Sequence, residues 1–185
     1  MKYTVLLAFL AAGFLGSIAA APVYAQEEAS AQSPSAQSLT KDPTKGSVTN
    51  LDIPRYVTLK GGEGNARRGP GLTHKIDWVF TRSGMPLKVT AEHENWRKVE
   101  DSEGMGGWVH YSLLSGSRSI LVTRDLAEFY DYPDPAGQVL FQAESGVVGK
   151  LLECQLNWCR VNIQGEKGWA PKTSLWGVEP QELVE

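Results

Sequence analysis

Short alternations of apolar and polar residues, broken by Gly and Pro, extend from residue 54 to residue 178. No window of helix length in this region keeps a 3.6-residue apolar period, so the pattern favours strands over helices. Runs of this kind separated by turn residues are typical of antiparallel sheets, and "GGEGNARRGPG" and "DSEGMG" are predicted to be turns. We predict strands at residues 55–60, 85–92, 95–100, 106–114, 119–123, 146–154, 157–163 and 167–175.

One pattern occurs twice. The segment "NWRKVEDSEGMGGWV" at residues 95–109 recurs in altered form as "NWCRVNIQGEKGWA" at residues 157–170, so a unit of about sixty residues is repeated. A unit of this size closes most stably as a small barrel, or as two orthogonal sheets, because open sheet edges and faces are unfavourable. We therefore predict an all-β fold of two tandem small β-barrels, each only marginally stable alone.

The first residues indicate export. Before Gln26 the only charged residue is Lys2, and an apolar run followed by small residues predicts a signal peptide at residues 1–25, cleaved after Ala25. The alternative is an uncleaved anchor, because the apolar run approaches membrane-spanning length. Residues 26–53 are rich in Ser, Ala, Gln and Pro, which predicts a flexible, disordered linker. The mature protein is expected to be periplasmic or secreted, with no membrane span after cleavage.

The two cysteines agree with an oxidising compartment. A two-residue turn at Leu156 and Asn157 places Cys154 opposite Cys159, within disulfide distance, so we predict a bond between them. A metal site and a catalytic thiol are the alternatives. Two Cys without a nearby His supply too few zinc ligands, and a bonded sulfur is not a nucleophile. No metal and no cofactor are expected.

Charge limits the choice of partner. The formal net charge is -3, with no basic stripe, so a nucleic-acid partner is not expected. Nothing in the sequence pairs His74, His93 or His110 with a nucleophile, so we predict that they are surface or strand-edge residues and that the protein is not an enzyme.

The order of motifs resembles a known family. "NARRGPG" (65–71), "GMPLKVT" (84–90), "NWRKV" (95–99), "GGWV" (106–109) and "SLLSG" (112–116) are similar to bacterial SH3-like domains. The second unit departs from the pattern at "AEFYDYPDPAG" (127–137) and matches it at residues 145–177. The resemblance implies SH3-like barrels at residues 54–116 and 117–178, followed by a C-terminal tail at 179–185. It also implies a ligand-binding role in exported proteins, often in association with cell-wall peptidoglycan and its hydrolases.

Alternation along the repeated strand supplies candidate binding residues. Val99 and Val161 are expected to face the two cores, so Trp96 with Lys98, and Trp158 with Arg160, face outward. An indole beside a cation stacks on a sugar ring or a peptide plane while the cation meets a carboxylate. The alternative is that these rings only cover a turn or the junction between units. Trp108 and Trp169 are expected to pack in the cores.

A second resemblance adds three residues. "GWAPKTSL" and "FYDYPDP" are similar to the segments that line the proline-peptide groove of eukaryotic SH3 domains, which points to Tyr130, Tyr132 and Pro171 and to an extended peptide as ligand. The leading hypothesis is a non-catalytic exported binding module that recognises peptidoglycan stem peptides or a cell-envelope protein. Two linked copies would let two weak sites bind a repeating polymer with raised effective concentration. The alternative is a structural or assembly partner in a periplasmic protein complex.

Overall fold

The structure, a computed structural model, describes residues 42–185. The predicted signal peptide and the predicted linker up to residue 41 lie outside the described residues. Within the described part, no helix is long and apolar enough to cross a membrane.

The described chain forms two antiparallel sheets with the same strand order, which confirms the all-β prediction. The first sheet has the order β3-β2-β6-β5-β4-β1-β7, and the second has the corresponding order β10-β9-β13-β12-β11-β8-β14. One 3₁₀ turn lies before the last strand of each unit, at Tyr111–Leu113 and at Lys172–Ser174. The strands of the first unit are β1 (Arg55–Leu59), β2 (Gly64–Arg67), β3 (Ile76–Phe80), β4 (Pro86–His93), β5 (Trp96–Glu100), β6 (Gly106–His110) and β7 (Leu114–Ser115). The strands of the second unit are β8 (Ser119–Val122), β9 (Ala127–Tyr130), β10 (Val139–Ala143), β11 (Val148–Cys154), β12 (Trp158–Ile163), β13 (Glu166–Pro171) and β14 (Leu175–Trp176).

Each unit contains one hairpin that the sequence patterns did not predict. These hairpins are β2–β3 in the first unit and β9–β10 in the second. The segment predicted as a turn contains β2, where Gly64 lies opposite Phe80 and Ala66 opposite Trp78. Gly and Asn have low strand propensity, so this strand depends on its partners rather than on its own residues.

The core of each unit lies inside its own sheet. Val99 and Val161 are fully buried, as predicted, because alternation turns them away from the outward Trp residues. The first core consists of Leu59, Ala66, Phe80, Leu87, Val89, Val99, Val109 and Leu114. The second contains the aliphatic and aromatic residues Ile120, Val122, Phe129, Leu151, Val161, Ile163, Leu175 and Val178, together with both cysteines.

The structure differs from the predicted flexible linker at residues 42–53. These residues form a turn that docks on the first unit, with a bridge between Lys45 and Asp52. The Gly46 amide donates to the Leu51 carbonyl at 2.7 Å, and the Ser47 hydroxyl donates to the Glu92 carbonyl at 2.5 Å. We call residues 42–53 the N-terminal strap. It forms because Glu92 provides buried acceptors for its backbone and hydroxyl donors, a contact that composition does not reveal.

The C-terminal segment folds back on the second unit. Cys154 and Val184 exchange two backbone hydrogen bonds, of 2.8 and 3.1 Å. The Lys172 ammonium donates to the Pro180 and Glu182 carbonyls at 3.1 and 2.7 Å. Residues 179–185, predicted as a tail, are therefore packed against the second sheet.

The two units also contact each other directly. The hydroxyls of Thr58 and Ser119 are 2.7 Å apart, and the Tyr56 ring meets the Trp176 ring edge-on with centroids 5.1 Å apart. The guanidinium of Arg118, between the units, lies over the Tyr56 ring at 5.6 Å. Tyr56 is thus buried at the junction.

Candidate functional site

Strand register places most of the predicted binding residues of the second unit on one surface. Trp158 lies opposite Pro171, and Arg160 opposite Trp169, which in turn lies opposite Tyr130 on β9. Directly opposed residues of antiparallel strands point to the same face. These five side chains therefore share the face opposite to the Val161 core, and we call this surface the outer face of the second unit.

Two aromatic rings on this face are in contact. The Tyr130 and Trp158 rings meet edge-on with centroids 5.6 Å apart. The Tyr130 hydroxyl donates to a Glu128 carboxylate oxygen at 2.6 Å, and this hydrogen bond raises the pKa of Tyr130. Tyr132 lies beyond β9 in a turn, 47 % exposed, where its amide donates to Asp131. Among the described contacts, none joins Tyr132 to the two rings.

A groove with charged side chains of both signs borders the outer face at Tyr130 and Pro171. Arg124, Asp125, Leu126 and Glu128 line it. Leu126 has a φ of 50° and is 61 % exposed, so a large apolar side chain is held in the open by a left-handed backbone. Such conformations cost free energy and cluster where ligands bind. None of these residues was predicted from the sequence, although they lie just before the "FYDYPDP" segment.

A second groove lies at the other end of the outer face. Arg160 lines it together with Glu153 and Glu185 and with the apolar side chains of Leu152, Leu156 and Leu183. Leu156 and Leu183 are both exposed. Of the predicted pair, Trp158 therefore belongs to the two contacting rings, and Arg160 lines the second groove.

In the first unit the corresponding indole is covered. Trp96 is only 8 % exposed, so the prediction of an outward ring available to ligand is wrong for this residue. Its direction is as predicted, because it lies opposite His110 and outside the core cluster. The His110 ring packs edge-on against it at 5.5 Å, whereas Trp158 has the smaller Pro171 in the same position and stays half-buried. Lys98 is exposed, as expected.

The other two repeated indoles also differ from expectation. Trp108 and Trp169 lie on the outer faces, opposite Lys98 and Arg160, and belong to neither core cluster, although Trp169 is buried as expected, at 8 % exposure. The residue before each Trp is a Gly that faces the core: Gly107 lies opposite Val99, and Gly168 opposite Val161. A Cβ on Gly168 would lie 2.8 Å from the Cβ of Phe129, so close packing requires Gly there and turns the following Trp outward.

The family model described as "Bacterial SH3 domain" matches residues 60–116 and again residues 124–177. The chain belongs to the bacterial SH3 domain family. A comparison with curated proteins gives no match.

Two solved structures are similar to part of this bacterial SH3 protein. They are NlpC2 from Trichomonas vaginalis, at 13 % identity with a TM-score of 0.31, and NlpC1 from the same organism, at 12 % identity with a TM-score of 0.32. The matches cover 66 % and 73 % of this chain, but only 48 % and 50 % of the respective NlpC chains. The chain thus spans about half the length of these structures.

The predicted disulfide is present, and it has a counterpart in the first SH3 unit. Cys154 and Cys159 are bonded cross-strand partners with Cα atoms 4.1 Å apart. The equivalent cross-strand pair in the first unit is Glu92 with Arg97, whose charged atoms are 3.4 Å apart. Each pair flanks the turn and the repeated Trp that follows it, and each has a terminal segment of the chain docked on it.

Glu92 holds the N-terminal strap to the first SH3 unit. Its carboxylate, which has no solvent exposure, accepts hydrogen bonds from the Val48 and Thr49 amides, the Thr49 hydroxyl and the Arg55 guanidinium. Burial raises the pKa of Glu92, but the Thr49, Val48 and Arg55 hydrogen bonds outweigh it and bring the pKa down to about 2. The charged form is therefore strongly favoured in the folded protein.

The remaining reactive side chains have local partners. His110 Nδ1 lies 2.7 Å from the Ser112 hydroxyl and accepts from the Ser112 amide, which caps the 3₁₀ turn of the first unit. The His93 ring packs against Trp108, with centroids 6.4 Å apart. Across residues 42–185 no group of three or more His, Cys, Asp or Glu side chains is placed to hold a metal ion.

Proposed function

We propose that this bacterial SH3 protein is an exported, non-catalytic binding module, and that the outer face of the second unit binds an extended peptide of the cell wall. The observation that carries the proposal is the ring pair of Tyr130 and Trp158, each half-buried, with centroids 5.6 Å apart beside Pro171. Such rings offer flat contact area at little conformational cost, and aromatic grooves of this kind bind extended peptides.

The chemistry of the side chains supports binding rather than turnover. Both thiols are bonded to each other, and a thiol nucleophile has to be free. The contact between Ser112 and His110 is a turn cap within three residues of chain. In the described region no carboxylate orients that imidazole, as a catalytic histidine requires.

The two units are not equivalent as peptide sites. Tyr130, Glu128 and Pro171 of the second unit correspond by register to Arg67, Asn65 and His110 of the first. His110 covers Trp96, so the first unit has no open counterpart of the Tyr130–Trp158 pair. We therefore place the peptide site in the second unit alone, in contrast to the expectation that both copies bind.

Pelleting with purified peptidoglycan sacculi tests the proposal. We expect Tyr130→Ala in the full chain to lower the bound fraction at limiting sacculi by about tenfold, the effect of removing one central aromatic contact. The matched control is Tyr111→Ala, which removes an exposed tyrosine from the first unit. Failure of the native protein to pellet, or equal loss in both variants at unchanged circular dichroism, would reject the proposal.

A second function, assembly with an envelope protein, is favoured by a different surface. Strand β3 is at the edge of the first sheet, and its residues Ile76, Trp78 and Val79 are 36–41 % exposed. Free apolar edges are sites where another chain adds a strand. Crosslinking in envelope extracts tests this: one stoichiometric protein, lost in Val79→Lys, would support assembly, and recovery of wall fragments alone would not.

A further inference from the structure

We infer that residues 177–185 are a clasp that holds the two SH3 units in one fixed orientation, and that ion pairs around Tyr56 lock this clasp. Domains of one chain move relative to each other unless their interface restrains them. The backbone of the clasp packs on the second unit, but its carboxylates pair with cations of the first unit and of residues 116–118, which connect the units. The fixed orientation does not depend on the peptide site proposed above.

The end of the clasp is anchored in the second unit. Cys154 and Val184 exchange two backbone hydrogen bonds, of 2.8 and 3.1 Å. The buried Lys172 side chain donates to the Glu182 carbonyl at 2.7 Å. A buried ammonium needs acceptors of this kind, because a charge removed from water without partners is costly. The backbone of the clasp is therefore held in place on the second sheet.

Arg118 ties the connection between the units to the clasp. Its guanidinium donates to both oxygens of the Glu182 carboxylate, one of them at 3.0 Å, and to the Gly177 carbonyl at 2.7 Å. The Arg118 and Glu182 side chains are only 21 % and 25 % exposed. Burial raises the pKa of Glu182, but hydrogen bonds from Arg118 and from the Glu179 amide together outweigh it and keep this pKa below its usual value. Two parallel bonds to a carboxylate fix geometry as well as adding free energy.

The clasp also pairs with the first unit, at Lys88 of β4. The Lys88 ammonium lies 3.3 Å from Glu179 Oε1, which is buried without a hydrogen bond in the described chain, so this cation compensates its charge. Lys88 and Arg118 both lie over the Tyr56 ring, each 5.6 Å from its centre, within the range of cation–π attraction. Separating the units would part Lys88 from Glu179 and leave this carboxylate without its cation.

A close approach of backbones at Gly177 agrees with a single orientation. Gly177 follows the last strand of the second unit and has a φ of 112°. A Cβ at this position would lie 2.6 Å from the Ser119 carbonyl oxygen and 3.2 Å from the Cβ of Pro86 in the first unit. Gly116, which follows the last strand of the first unit, has no atom within 4 Å of the same position. Glycine is therefore required where the clasp passes between the units and not at its counterpart.

Residual dipolar couplings of the full chain test the inference, because the amides of a rigid body share one alignment tensor. We expect the couplings of both units to fit one tensor in the native protein and to need two in the double variant Glu179→Gln and Glu182→Gln. The matched control is Glu144→Gln, which changes an exposed glutamate of the second unit and should keep one tensor. Unchanged amide shifts of the buried Val99 and Val161 would confirm that each unit stays folded.

Urea unfolding followed at resolved amide signals of each unit gives a second measurement. The two midpoints should coincide in the native protein and separate in the double variant. Lys88→Glu should also separate them, and adding Glu179→Lys should bring them back together, because the ion pair is then reversed rather than lost.

Two tensors in the native protein would overturn the inference. So would a double variant that keeps one tensor and coincident midpoints, because direct contacts such as Tyr56 with Trp176 would then suffice to fix the orientation. Failure of the reversed pair to restore coincidence would exclude the pair of Lys88 and Glu179 as part of the lock.

Discussion

At the scale of single residues, Glu92 is the most constrained charge in the described chain. It has no solvent exposure, and its partners come from the N-terminal strap, from β1 and from β5. A buried carboxylate with this many donors is stabilising only while all of them remain, because breaking one buried ion pair leaves an uncompensated charge. The first SH3 unit is therefore expected to depend on the strap.

This arrangement predicts an acid-sensitive stability. The folded pKa of Glu92, about 2, is below its usual value of 4.5, so its contribution is complete above about pH 4.5 and is lost as the pH falls towards 2. The difference between these two pKa values corresponds to a contribution of about 3 kcal/mol to the free energy of unfolding at neutral pH. Urea unfolding at several pH values should show that the native protein loses unfolding free energy at acid pH. In Glu92→Gln the unfolding free energy should depend much less on pH. Glu103→Gln, in an exposed turn, should behave like the native protein.

The covering of Trp96 shows what residue patterns could not predict. Alternation correctly placed Trp96 and Trp158 outside the cores, because neighbouring strand positions face opposite ways. Whether an outward ring is open depends on the residue opposite it, which is His110 in one unit and Pro171 in the other. This pairing depends on the strand register of the whole sheet, which the sequence of the repeated motif does not show. The two sites therefore looked equivalent in sequence.

At the scale of secondary-structure elements, the hairpin from β11 to β12 is closed by the disulfide and by the docked C-terminal segment. The disulfide closes a loop of six residues, for which the chain-entropy model gives about 2 kcal/mol. We expect the Cys154→Ala and Cys159→Ala double variant to lose about this much unfolding free energy in urea. Dithiothreitol should destabilise the native protein by a similar amount and leave the double variant unchanged. An equal response of both proteins to the reductant would contradict this.

The strands that were predicted are those with alternating β-branched or aromatic residues, and four strands were missed. In β9 and β10 the inward residues Phe129 and Phe141 stack, with ring centroids 4.6 Å apart. Because this contact forms between two strands, the sequence of either segment alone does not indicate it. Likewise, Gly107 and Gly168 pack against the cores, so the Trp after each Gly was assigned to the wrong face.

At the scale of the whole molecule, the two SH3 units are joined by more than their connecting residues. Burial and the nearby Glu179 carboxylate raise the pKa of Tyr56 to about 12. Because the ring lies between Trp176 and Arg118, its ionisation reports directly on the junction.

Alkaline titration should therefore detect the junction. In the native protein, absorbance at 295 nm should show one tyrosine that ionises about two pH units after an ordinary one, and this late step should be absent in Tyr56→Phe. Trp176→Ala exposes the ring and should shift the step back towards pH 10. The unfolding free energy should fall as the pH rises from 10 to 12, because the unfolded tyrosine ionises first. A late step that persists in Tyr56→Phe would assign it to another tyrosine.

The two units have the same fold but are proposed to differ in function. Their strand orders are identical, yet the outer face has Tyr130 and Glu128 in one unit and Arg67 and Asn65 in the other. Fold and function are therefore separable, since the ligand is set by side chains on a common scaffold.

The most direct test is an NMR titration of the indole N–H signals with soluble wall peptides released from sacculi. The chain has six Trp residues, so the six signals can be assigned by single substitutions. Binding at the outer face of the second unit should shift the signals of Trp158 and Trp169 first and leave those of Trp78, Trp96 and Trp108 unchanged. Saturable shifts confined to the first unit, or no shift at millimolar peptide, would contradict the account.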